Sequence, residues 1–364
     1  MTGIFTVELL PARFGDAIWV EYGDPRSPHR MLIDGGARST TCATIVELMN
    51  ARIGAADPDF ELIVLTHIDG DHITGLLDLF EDPTVALRPR DVWFNGWEHL
   101  PSDLLGPRQA ERLSAAIKKR RLPWNTDFRG KAVRLEGTLA QPNPDVLPEI
   151  TLPGGMVLTL LSPTYEGLAK LRPVWKEELD KAHLVPGSVA EPVGEADRLG
   201  GARGPLQPDE DAKERFKSDT TEANGSSIAF LAEYDGRCVL FTGDAHAPVL
   251  ETSVRTLLRN RGRDKLAVGA FKLPHHGSKY NLSPALLGLL DTRRFLISTD
   301  GTSSSRHPDP VTLARIVTTV QEAQLEFNYA TDYSRPWDAD RIKRKYGHTV
   351  VFPRQDESWL TVRL

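Results

Sequence analysis

Residues 67–72 read His-Ile-Asp-Gly-Asp-His, which places four metal-competent side chains (His67, Asp69, Asp71 and His72) in six positions. They follow directly on Phe60 to Leu65, a compact apolar run with the character of a buried strand. Imidazole and carboxylate together suit zinc, manganese or iron, whereas an all-oxygen set would suit magnesium or calcium. Further donors recur at the ends of later strand-like runs. Arg237 to Thr242 ends at Gly243-Asp244, Ala267 to Leu273 ends at Pro274-His275-His276-Gly277-Ser278, and Arg294 to Ser298 leads through a polar loop to Arg306-His307-Pro308. A divalent ion held by such residues lowers the pKa of a bound water and polarises an acyl or phosphoryl oxygen, so hydrolysis needs no serine or cysteine nucleophile.

Donors at strand ends need strands to place them. Ile4 to Leu10 and Ala17 to Tyr22 read as strands flanking Gly15-Asp16, and Arg30 to Ile33 as a third that ends at Asp34-Gly35-Gly36, together an antiparallel opening. Residues 40–52 have helical spacing, and Ile73 to Phe80 continues as a helix with His72 near its N-terminus. A further helix over 107–121 ends in Lys118-Lys119-Arg120-Arg121, where cations suit the negative end of the helix dipole; a phosphate-binding patch is the other reading of that run. Asp235-Gly236 joins two β-rich runs as a two-residue hairpin.

The 364 residues are 40% hydrophobic and 26% charged, enough apolar surface for a sizeable core. We read one domain over 1–364, with insertions at about 97–150 and 165–223 and a C-terminal segment, 326–364, that completes the sheet. The charged 165–223 stretch reads as a lid or as a segment for docking a protein partner, and its sequence does not choose between them. A net charge of −6 argues against a dedicated DNA-coating protein, although local basic runs at 118–121 and 341–345 could track phosphates. Two cysteines, Cys42 and Cys238, rule out a disulfide framework and suit the cytoplasm; no signal peptide or membrane helix is read. Nucleotide-binding glycine fingerprints are absent, and Ser278 with His276 lacks the Gly-x-Ser-x-Gly elbow of a nucleophilic hydrolase.

The 67–72 motif resembles the His-x-His-x-Asp-His signature of the metallo-β-lactamase superfamily, with Asp69 in the second histidine position. In that form, and in His275-His276-Gly277-Ser278, it is similar to the soluble domain of the ComEC-type DNA-uptake proteins. Gly15-Asp16-Ala17, Asp34-Gly35-Gly36, Asn224 with Ser227, Gly243-Asp244 and His307-Pro308 agree in order. The resemblance implies a four-layered αββα α/β fold of two packed mixed sheets with the metal cleft along one edge. It implies one or two divalent metal ions, zinc or manganese. His67 and Asp69 would face one metal, Asp71 and His72 a second, with Asp244 bridging, His307 as the last histidine ligand, and His275 or His276 as a ligand or a substrate contact.

The usual histidine between the first motif and the bridging Asp is missing, for only His99 and His183 fall in that interval, and Asn224 and Ser227 stand in its place. Asp34 is a candidate for orienting a ligand histidine. Asp71 would also orient the attacking water, and His276, Ser278 or Lys279 would stabilise the developing oxyanion. The substrate expected is a phosphodiester, within nucleic acid or not. The alternatives are a small ester or lactone, and a metal-binding scaffold or sensor with little turnover.

Overall fold

A computed structural model describes residues 3–53, 58–100, 108–135, 147–171 and 205–364. The first sheet opens with β1 (Ile4–Leu9), β2 (Ile18–Asp24) and β3 (Ser27–Ile33) as an antiparallel meander, and β4 (Leu62–Val64) and β5 (Val92–Trp93) then add in parallel. The second sheet begins with β6 (Glu149–Thr151), β7 (Val157–Ser162), β8 (Ala229–Tyr234) and β9 (Arg237–Phe241), all antiparallel. β10 (Leu266–Ala267) stands outside it, and β11 (Ala270–Lys272) pairs in parallel with β9. β12 (Leu290–Asp291) partners β10, while β13 (Arg294–Ile297), β14 (Gln324–Phe327) and β15 (Thr349–Val351) extend the sheet in parallel. The last strand, β16 (Leu360–Arg363), returns to the first sheet and pairs with β1.

Period-two alternation sorts the first sheet's side chains between two cores. Ile18, Val20 and Tyr22, with Met31, Ile33, Leu62 and Val64, join Leu158, Leu160, Phe230 and Leu240 between the sheets. Their neighbours Trp19, Leu32, Ile63 and Leu65 face the opposite way. There they meet α1 (Ser39–Arg52), α2 (Gly70–Glu81) and α3 (Arg108–Arg120) through Ile45, Leu48, Ile73, Leu77, Leu113 and Ile117. The helices Ala247–Arg261 and Pro310–Thr319 contribute Leu250, Val254, Leu313 and Ile316 to the core of the second sheet. The layers are helices, sheet, sheet, helices, and both sheets are mixed.

Several expectations need amendment. The run Ala267 to Leu273 is not one strand, because Val268 N bonds Asp291 O and Gly269 N turns to Cys238 O, which splits it into β10 and β11. In the 118–121 basic run, Lys118 pairs with Glu98, and the Arg120 guanidinium donates to the carbonyls of Phe80, Asp82 and Val85 at the C-terminal end of α2. In the 341–345 run, Lys343 pairs with Asp338 and Lys345 with Asp209. Of the 165–223 stretch, residues 172–204, including His183, lie outside the described residues, as do 101–107 and 136–146 within 97–150. Residues 205–223 are packed: Arg315 donates to Glu214 O and lies over the Phe216 ring. Among the described residues no helix is long and apolar enough to cross a membrane.

Two close approaches set where α2 begins. A Cβ on Gly35 would fall 2.0 Å from Leu76 N, and one on Gly75 would fall 2.0 Å from Gly35 O. Their absence lets α2 lie directly against the end of β3, and Gly35 N bonds His72 O at 2.7 Å. Gly75→Ala should therefore push α2 outward and cost about 1–3 kcal/mol, seen as a lower urea midpoint together with weaker metal binding. An unchanged midpoint would mean that this contact does not position the helix.

Candidate metal centre

The 67–72 loop runs from the end of β4 into the first turn of α2, so its donors sit on a rigid strand-to-helix junction. Asp69 occupies the N-cap position of α2 yet makes no side-chain cap bond; its Oδ2 lies 3.5 Å from His67 Nε2 instead. A carboxylate that forgoes the usual capping role in favour of an imidazole is placed as a donor would be. Asp71, 23% exposed, has Oδ2 3.3 Å from His276 Nε2. Its backbone oxygen meets Gly15, where a Cβ would come within 1.7 Å, so the β1–β2 loop is pressed against the motif.

Four histidines converge on one carboxylate. The Nε2 atoms of His67, His72, His275 and His276 lie 3.5–3.8 Å from oxygens of Asp244, which follows β9 and is buried. In every case the other ring nitrogen faces an oxygen that can accept its proton. His67 Nδ1 is 3.1 Å from Thr66 Oγ1, His72 Nδ1 is 2.8 Å from Asp34 Oδ2, His275 Nδ1 is 3.1 Å from Asn281 Oδ1, and His276 Nδ1 is 3.0 Å from Ser298 O. Thr66 Oγ1 itself donates to Asp34 Oδ2 at 2.7 Å, which leaves its lone pair for His67. With Nδ1 facing an acceptor, Nε2 is in each case the nitrogen left to meet a cation beside Asp244, once any proton on it has been displaced.

The pair that sequence could not separate is held in an unusual backbone conformation. His275 and His276 both have left-handed φ, 49° and 52°, which non-glycine residues adopt at a cost of about 1–2 kcal/mol each. The conformation turns both rings towards Asp244 instead of sending one into the core. His307 approaches from the other side, its ring centroid 4.8 Å from that of His275. It is buried, and neither of its ring nitrogens has a hydrogen-bond partner.

These orphaned atoms test whether the residues fit a cation. His67 Nε2, Asp244 Oδ1 and both nitrogens of His307 are buried polar atoms without hydrogen bonds, a costly arrangement unless something else satisfies them. Donor atoms of His67, His72 and Asp244 lie within 4.8 Å of one another, as do those of Asp16, His72 and His276. An imidazole and carboxylate set of this kind fits zinc or manganese.

Electrostatics follow the same geometry. Burial pushes the His276 imidazole down, but Asp16 and Asp244 outweigh it and raise its pKa to about 9. Burial likewise opposes the charged form of His72, yet Asp244, Asp34 and Asp71 raise it well above the ordinary value. Burial pushes the Asp71 carboxyl up, and His72 and His276 more than reverse that, to about 2. For His307 burial dominates, reinforced by His275 and His276, and holds the ring neutral.

The remaining candidates play supporting parts. Asp34 accepts from Thr66 N and Thr66 Oγ1 as well as facing His72. Ser227 Oγ accepts from Asp244 N, and Asn224 Nδ2 donates to Asp219 Oδ2. Ser278 Oγ accepts from Tyr280 N, and Lys279 pairs with Glu214 at 2.7 Å, so the structure gives that ammonium a partner other than an oxyanion. His246 meets Thr221 O, and His99 packs edge-on against Trp124.

Sequence reasoning missed Asp219 and Asn281, which together hold His275: Asn281 Nδ2 donates to Asp219 Oδ2, and Asp219 Oδ2 lies 3.6 Å from His275 Nδ1. Asp219 lies in the charged stretch with no periodic signal. Thr66, Ser298, Asp16 and Lys272 were also missed; Gly15-Asp16 next to a strand was the one legible hint. Asp34→Asn should weaken metal affinity about 10–100-fold while the chain stays folded, as measured by chelator competition and circular dichroism. Undiminished affinity would remove Asp34 from the centre.

The sequence pattern of the metallo-beta-lactamase superfamily matches residues 29–299, which takes in the 67–72 loop, Asp244 and the 275–276 pair but not His307. No curated protein matches the chain by sequence. By structure it is similar to the metallo-beta-lactamase fold protein YhfI from Bacillus subtilis, at 10% identity over 100% of each chain with a TM-score of 0.41. It is also similar to Zn(2+)-bound PqqB from Methylobacterium extorquens, at 12% identity over 99% of this chain and 100% of that one, with a TM-score of 0.40. With a match over well more than half its length, and the motif and layered sheets as described, the chain belongs to the metallo-β-lactamase superfamily.

Proposed function

We propose that this chain is a metal-dependent hydrolase that cleaves a phosphodiester. The observation that carries the reading is the convergence of four Nδ1-anchored imidazoles on Asp244. His67, His72 and Asp244, with Asp69, Asp71, His275, His276 and His307 around them, would hold the metal. Eight donor side chains exceed the four of a usual zinc site, which favours two ions, an arrangement that suits an in-line phosphoryl displacement. A divalent ion bound there supplies a Lewis acid and a water of lowered pKa.

The chain's own residues supply the rest. Asp71, on the partly exposed side of the cluster, accepts a hydrogen bond from the attacking water and orients it. His276 is held by Ser298 O so that its Nε2 faces the reacting centre. Burial of the surrounding side chains limits bulk water and strengthens these interactions.

A small ester or lactone is the second reading, favoured by what the basic runs do. Arg120 grips the C-terminal end of α2, about 15–18 Å along a twelve-residue helix from the donors at its start, and Lys343 and Lys345 are in ion pairs. These contacts count against a phosphate track along either run, which gives ground to a small ester or lactone and, among phosphodiesters, to a compact one over a long nucleic acid.

The test is turnover of bis(p-nitrophenyl) phosphate, p-nitrophenyl acetate and a lactone by zinc- or manganese-loaded protein, with Asp71→Asn as control. Phosphodiester cleavage lost in Asp71→Asn supports the proposal. Turnover of only the ester or lactone replaces it with the second reading, and stoichiometric metal without turnover of any of them leaves a metal-binding scaffold, to which a partner could dock through 165–223.

A further inference from the structure

Lys272, at the end of β11, carries a buried ammonium group, its side chain 0% exposed. Its Nζ lies 2.6 Å from Asp16 Oδ2 and also donates to Leu273 O at 3.0 Å. Asp16, 2% exposed, comes from the β1–β2 loop, so this ion pair joins the two sheets behind the metal centre. Burying both charges carries a desolvation penalty, and a pair of apolar side chains of similar volume would join the sheets at least as well. The pair's placement suggests why charges stand there.

Asp16 Oδ1 lies 3.2 Å from His276 Nδ1, the nitrogen that also faces Ser298 O. It is the opposite ring nitrogen, Nε2, that faces His72 Nε2 at 3.2 Å, Asp71 Oδ2 at 3.3 Å and Asp244 Oδ2 at 3.8 Å. Asp16 therefore stands behind the imidazole, with one oxygen against the ring and the other taken by Lys272. That arrangement lets Asp16 support the His276 ring from behind.

We propose that Lys272 and Asp16 are positioning residues: Lys272 fixes the Asp16 carboxylate, which together with Ser298 O holds His276 in the Nδ1–H tautomer with Nε2 presented to the cation. The relay sets a carboxylate oxygen 3.2 Å behind His276, where Asp34 accepts from His72 at 2.8 Å, but this one is clamped from behind by a cation. It rests on the metal-centre reading, and metal binding by the native chain is the control that separates the two.

Lys272→Met alone would strand a buried carboxylate and threatens folding. The informative variant is the double substitution Asp16→Asn with Lys272→Met, which removes both charges at similar volume, with Asp16→Asn alone as the second. Zinc and manganese affinities are measured by chelator competition, folding by circular dichroism, and the His276 ring by ¹⁵N chemical shifts. The relay predicts a folded variant that binds metal about 10–100-fold more weakly, with His276 ring signals shifted towards a mixture of tautomers. Native affinity and native ring signals in either folded variant overturn it and leave Lys272–Asp16 as a clamp between the sheets. If the native chain binds neither metal, the metal-centre reading fails first and the relay with it.

Discussion

Asp244→Ala should abolish stoichiometric metal binding and lower kcat/KM by at least about 10³-fold, a loss of about 4 kcal/mol in transition-state stabilisation. Among the described residues Asp244 is the one carboxylate within 4 Å of the Nε2 atoms of His67, His72, His275 and His276 alike. Removing it takes away a donor and also the counter-charge that gathers the rings. Burial opposes charge on His72, and Asp244 is the foremost group acting against it. The ion-free variant should therefore carry fewer protons on its histidines than the native chain. Metal analysis of the purified variant, with turnover measured at saturating manganese and zinc, checks the expectation. Full metal occupancy in Asp244→Ala would place the centre elsewhere.

Metal affinity should climb steeply between about pH 6.5 and 9. In the ion-free protein His276 is raised from 6.5 to about 9, and His72 and His275 are raised as well, so at neutral pH a cation must displace protons from the nitrogens it would occupy. Each proton displaced makes affinity rise roughly tenfold per pH unit until that group's pKa is passed. His307 is shifted the other way and gives up no proton.

The same shifts give the ion-free chain its own pH dependence. A histidine whose folded pKa is raised contributes stability that is full below the unfolded value near 6.5 and is lost as pH rises through about 9. Asp71, lowered to about 2, contributes stability that is present above 3.8 and is lost as pH falls through about 2. Ion-free protein should thus show a falling Tm from pH 6.5 to 9, while added metal raises Tm by a margin that grows over the same window. Calorimetric titration in two buffers of different ionisation enthalpy counts the protons released. A metal affinity independent of pH would mean that these imidazoles are not the donors.

Much of this was legible because local chemistry and local order coincide. Metal-competent residues at 67–72 immediately after an apolar run, and Asp244 and His275-His276 after two more, mark loops at strand ends, and alternating apolar residues such as Ile18, Val20 and Tyr22 mark a sheet with two covered faces. Helix periodicity placed α2 just after His72, because an amphipathic face repeats within a few residues whatever the tertiary context. Composition likewise bounded the chain to a sizeable packed core without a disulfide framework.

What only the tertiary structure decided depends on contacts between distant segments. No spacing reveals that Asp16 lies behind His276 and pairs with Lys272, 256 positions away, or that Asp219 emerges from a charged stretch to hold Asn281 and His275. For the basic run at 118–121 the sequence left a phosphate patch open beside the helix-dipole reading, and the contact of Arg120 with the carbonyls ending α2 appears only in the structure. Left-handed backbone at two successive non-glycine residues, His275 and His276, is uncommon, and no spacing in the sequence announces it. Residue types state which donors are available; which nitrogen faces the metal and which faces its support is set by packing two sheets face to face, and that is a property of the whole fold.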